Sequence, residues 1–114
     1  MSTHTETPKP DRRPDMLRHF PTLLGRWAGA WATMSELTDS HRTLRIVLTQ
    51  DSRAGRLVVA CIDPLFIHGP VQWPKAHIGV ALHGDDGFVV TDTAADVRII
   101  TGKVEVAEYV SPSA

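Results

Sequence analysis

A second cysteine is missing from this 114-residue chain, in which Cys61 stands alone. No internal disulfide can form, which excludes a stapled secreted framework. Neither sign of charge is in excess, since 12 basic residues meet 13 acidic ones for a formal net charge of −1. Nucleic-acid binding by bulk electrostatics is therefore not indicated, and a polyanion would need a local patch. Long apolar runs are absent too. The longest, residues 57–62, falls far short of the ~20 residues that cross a bilayer. Residues 1–10 hold no apolar stretch of the kind a signal peptide needs. These absences set the expectation of a soluble, cytoplasmic protein with neither a nucleic-acid nor a membrane partner.

The spacings that carry common chemistries are also lacking. No C-x-x-C, H-x-H or H-E-x-x-H occurs, so the six histidines have no metal-ligand spacing. His77 and His83 would share one face of a strand, but at about 3.3 Å per residue they stand roughly 20 Å apart, too far for one ion. Cys61, Asp63, His68 and His77 would converge only if the chain between them folded back. G-x-S-x-G, Walker-type and dinucleotide glycine patterns are absent. Asp39-Ser40-His41 contains the residue types of a hydrolase triad, yet sequence neighbours point apart and suit a turn better. Asp85, Asp86 and Asp92 form an acidic patch without the alternating oxygen ligands of a calcium loop. The reading leans away from catalysis and expects no cofactor and no metal. Its enzymatic alternative takes His68 or His77 as a base.

What is present describes a single domain. The length suffices for one core without disulfides or a structural metal, and 42% apolar with 22% charged residues is ordinary for a globular protein. Residues 1–14 are polar and carry Pro8, Pro10 and Pro14. Such a segment buries too little to offset its ordering entropy, so a disordered tail is expected there. The domain is expected over 15–110, with 111–114 frayed. Leu17, Phe20, Leu24, Trp27, Trp31 and Met34 recur at intervals of three and four, the stripe of an amphipathic helix. Pro21 suits the start of a main helix over 21–34, supported by alanines at 28, 30 and 32.

Leu24-Gly25-Arg26-Trp27 supports a rival reading, because it resembles the Gly-x-Trp opening of lipocalin-type barrels. That resemblance implies that 21–34 holds the first strand of a small calycin-like barrel with an apolar ligand inside. Its pocket would use Trp27 and Trp31, with Cys61 and His77.

Downstream the pattern is one of strands. Leu44, Ile46 and Leu48 alternate with polar neighbours over 43–50. Residues 56–62 are apolar on both faces, as in a central strand, and place Cys61 in the core. Asp63-Pro64, Gly69-Pro70 and Trp73-Pro74 then read as breakers of a loop over 63–77. Further strands follow over 77–83, 88–92, 97–101 and 104–110, with turns at Asp86-Gly87, 93–96 and Gly102-Lys103. The expected architecture is α+β: one main N-terminal helix packed on an antiparallel meander of five to six strands.

The proline-stiffened 63–77 segment presents Phe66, His68 and Trp73. Tryptophan offers a large contact area at low entropic cost and is enriched in interface hot spots, which makes these three residues the expected binding set. Leu24-Gly25 with Trp27 or Trp31, then Leu37-Thr38-Asp39-Ser40 and Leu44-Arg45-Ile46, resembles small bacterial immunity-type proteins of toxin systems. That resemblance implies a binding role, the partner being another protein or a second copy of the chain.

Overall fold

The structure, a computed structural model, describes residues 11–38 and 42–110. Two short helices come first, α1 (Arg13–Leu17) and α2 (Phe20–Arg26). Seven strands follow: β1 (Ala30–Thr38), β2 (Arg42–Gln50), β3 (Arg53–His68), β4 (Gln72–Ala76), β5 (Gly79–His83), β6 (Gly87–Asp92) and β7 (Val97–Tyr109). A 3-10 turn, Thr93–Ala95, separates the last two. The strands form one antiparallel sheet in the order β4-β1-β2-β3-β7-β6-β5, curled into a half-barrel.

Period-two alternation explains the curl, because every second residue of successive strands has to be covered. Ala30, Ala32 and Met34 of β1, Leu44, Ile46 and Leu48 of β2, and Leu57, Val59 and Cys61 of β3 are all buried. Val97, Ile99 and Val104 of β7 and Phe88 and Val90 of β6 complete the same core. The two edge strands of the sheet are neighbours in the chain, since only His77 and Ile78 lie between Ala76 and Gly79. Three Cα steps of 3.80 Å limit that gap to about 11 Å. The curl thus brings the two sheet edges together at a seam. Helix α2 lies over the seam, with Leu24 buried and Phe20 and Leu23 packed against the core. Gly29, at φ 85, turns the chain into β1 and donates its N–H to the Ala76 carbonyl at 2.8 Å.

The far end of the fold is closed by Trp27. Its indole N–H donates to Glu108 Oε2 at 2.7 Å, and the Arg53 guanidinium lies 5.4 Å from its ring centroid. Arg26 pairs with the other oxygen of Glu108 at 3.3 Å, so this half-buried acid carries a cationic partner.

The α+β expectation of a main helix on five to six strands is corrected by this architecture. The helix expected over 21–34 ends at Arg26, and β1 begins at Ala30. Leu24, Trp27, Trp31 and Met34 meet a helical spacing, but Trp31 is 45% exposed on the outer face of β1 while Met34 faces the core. The alanines act here as small buried residues rather than helix formers. Ala32 lies opposite Trp73 on β4 and Ala30 opposite Ala76, so a small side chain faces the large indole. The loop expected over 63–77 is also corrected. Strand β3 runs through Asp63-Pro64 by a β-bulge between Pro64 and Phe66, with Asp63 at φ 55. A bulge tolerates a proline because the local ladder is already interrupted. The Thr101 hydroxyl donates to the Ile62 carbonyl there at 2.7 Å. Gly102-Lys103 is no turn: β7 passes through it and pairs with β3 over most of its length.

Candidate ligand cleft at the seam of the half-barrel

A cleft of about 400 Å³ opens where α2 crosses the seam. Phe20, Leu24 and Ala28 border it from the helical side, and Ile78 and Val80 from the sheet side. The local sequence dictates this arrangement. Pro21 in the first turn of α2 starts the helix one residue after Phe20, and Phe20 and Leu24, four apart, then share one helical face. On the other wall, Ile78 and Val80 are two apart and face the interior together. His77, Thr91 and Thr93 supply the polar groups of the lining, which holds no Asp, Glu, Lys or Arg. The His77 ring nitrogen Nδ1 lies 3.3 Å from the Lys75 carbonyl. An apolar cavity with a few polar groups at its edge is the common form of a small-molecule site.

No family model, curated protein or solved structure matches this chain. The assignment of the site therefore rests on its own geometry.

A second, separately lined cavity of about 300 Å³ lies between β4 and the 3-10 turn, bordered by Trp73, Pro74, Lys75, Asp92, Ala94 and Ala95. Asp92 ends β6 on its inner face, after Phe88 and Val90, and is 1% exposed. Its Oδ2 accepts the Trp73 indole N–H and the His77 backbone N–H, both at 2.8 Å. One carboxylate thus ties β4 and the seam to β6. Its Oδ1 is buried with no hydrogen-bond partner among the described residues.

The expected binding set is not brought together. Trp73 is 4% exposed and turned into the core, whereas Phe66 stays on the surface, its ring stacked near His68 at 6.5 Å between centroids. His68 Nε2 lies 2.9 Å from Asp96 Oδ2. Leu65, at the bulge, is the most exposed large apolar side chain among the described residues, at 80%. The alternative pocket residues also separate: Trp27 closes the far end, Trp31 lies outside, Cys61 is within the core, and only His77 reaches the cleft. Burial pushes the Cys61 thiol up to about 12, so it is neither a nucleophile nor a ligand near neutral pH.

Among the described residues no group of three or more His, Cys, Asp or Glu side chains is placed to hold a metal ion. His4 and the Asp39-Ser40-His41 triplet lie outside the described residues, as do the tail over 1–10 and the end over 111–114. Among the described residues, no helix is long and apolar enough to cross a membrane. The acidic patch read from Asp85, Asp86 and Asp92 is two features. The first two sit in the turn between β5 and β6, and the third is buried at the far end of β6. The alternation Phe88, Val90, Asp92 is the signal that points Asp92 inward. The cleft walls were visible only as separate apolar patterns, since nothing local joins α2 to Ile78 and Val80.

Proposed function

We propose that this protein binds a small apolar ligand in the cleft beneath α2. The observation that carries the reading is the cleft itself: an apolar cavity at the closing seam of a curled sheet, where Phe20 and Leu24 face Ile78 and Val80 across open space. A half-barrel supplies two rigid walls and a helical cover, so a ligand enters without the sheet having to open. His77, Thr91 and Thr93 orient a single polar end, and the apolar lining excludes a charged one. Protein recognition through residues 63–77, the expectation from sequence, relied on Trp73 as its anchor. With that indole in the core, the ligand reading takes precedence.

Titration with the neutral fluorophore 1-aminoanthracene tests the proposal. Saturable enhancement with one site per chain is expected. Ala28→Trp, at an exposed position on the rim of the cleft, should abolish it while leaving the far-ultraviolet circular dichroism unchanged. A non-saturating signal, or a signal that Ala28→Trp leaves intact, counts against the cleft.

A further inference from the structure

We infer that the cavity beside Asp92 is a binding site for a small alkylammonium ligand, separate from the apolar cleft, with which it shares no lining residue. A carboxylate offers about four acceptor positions, and Asp92 uses two, both on Oδ2. The buried Oδ1 has no donor among the described residues, and none of the ion pairs among those residues includes Asp92. A buried acid in that state is destabilising unless something pairs with it.

The fold contains its own comparison. Glu108 also accepts a tryptophan N–H, but Arg26 neutralises it. Asp92 repeats the indole bond without the cation, and a cavity stands where a partner would go. The walls specify what fits. Trp73, Pro74, Ala94 and Ala95 accept an alkyl stem, and an indole face attracts a cation. An ammonium head supplies both the missing donor and the missing charge. An anion is repelled by the carboxylate, and a purely apolar ligand leaves Oδ1 unmet. A metal ion finds no further ligating cluster among the described residues. Lys75, at the rim, forms no ion pair with Asp92, and its backbone is held at φ 53.

The experiment is a titration of the nitrogen-15-labelled full chain with n-propylammonium chloride, compared with n-propanol and with sodium chloride at matched ionic strength. Saturable shifts of the Trp73 indole N–H and the His77 amide are expected, with the Trp27 indole unmoved and neither control producing saturation. Ala94→Leu fills the cavity from an exposed turn position and leaves the hydrogen bonds of Asp92 in place. It should weaken the affinity by about tenfold or more, the effect expected of a misfitted apolar group in a pocket. Asp92→Asn should abolish the response if its spectrum stays dispersed, and Ala94→Leu decides the matter if it does not. Shifts that never saturate, an equal response to propanol, or an Ala94→Leu variant that binds as well as the parent would overturn the assignment. Ala28→Trp, which blocks only the other cleft, should leave these shifts intact, so the two sites fail independently.

Discussion

At the residue scale the three tryptophans have separate fates. Trp27 and Trp73 each bury a ring and give their N–H to a carboxylate, while Trp31 lies on the outer face of β1. Trp73→Ala should therefore cost ~3–5 kcal/mol, the usual range for a large aromatic truncated in a core. Trp31→Ala should stay within about 1 kcal/mol, as surface substitutions do. Urea titrations of the two variants check this. Cys61 yields a prediction in pH. Its thiol is raised from the ordinary 9.0 to about 12 by burial alone. A raised folded value means the stabilisation is complete below the unfolded value and is lost as pH climbs through the folded one. The unfolding free energy should thus fall above about pH 9, with a slope approaching ~1.4 kcal/mol per pH unit. Cys61→Ala should remove that slope, whatever its own cost at neutral pH. If the two chains lose stability in parallel between about pH 8 and pH 10.5, the thiol is not responsible.

At the element scale, backbone conformation decides what each glycine is for. Gly55 in β3 sits at φ 88, where a Cβ would collide with the Tyr109 carbonyl oxygen of β7. Gly55→Ala should destabilise the β3–β7 pairing by at least ~1–3 kcal/mol, since both the left-handed conformation and the space refuse a side chain. Gly25 lies within α2, where an added Cβ would meet no other atom within 4 Å. Gly25→Ala should stabilise by roughly 0.5–1 kcal/mol, the helix-propensity difference. Thermal melts of both variants give the opposite signs directly. The same elements show what a sequence can disclose. The alternation in β2, the apolar faces of β3 around Cys61 and the hairpin near Asp86 were all legible, because each is set by local period or turn chemistry. The stretch from Leu24 to Met34 was not, because its apolar residues satisfy a helical stripe and Ala30, Ala32 and Met34 also satisfy a strand. Choosing between them needs the neighbours: Ala32 is buried against a strand partner, Trp73, that lies 41 positions further on. Asp63-Pro64 and Gly102-Lys103 carried turn chemistry, and tertiary pairing overrode it with a bulge and a through-running strand. Asp92 could have been placed inside from its step of two after Val90. Its missing partner could not, since that is a fact about Trp73, His77 and the seam.

At the scale of the whole molecule, the seam governs how the protein should unfold. The buried side chains form one cluster that draws on α2 and on β1, β2, β3, β4, β6 and β7, with Val80 of β5 packed against it. Trp27 stands at one end of this cluster and Trp73 at the other, each tied to a strand distant in sequence: Glu108 on β7 and Asp92 on β6. Opening the seam would expose Trp73 and strand the Asp92 carboxylate, so it is not a low-cost local event. A small domain with one contiguous core unfolds as a unit. The indole N–H resonances of Trp27 and Trp73, followed together in a urea titration, should therefore vanish at a common midpoint that also matches the circular dichroism transition. A saturating apolar ligand should raise all three midpoints equally, because a compound bound to the folded state stabilises whatever unfolds with its site. Earlier loss of the Trp73 resonance would show that the seam opens before the rest of the sheet. The cleft would then be a gate between two edges rather than a fixed cavity in one core.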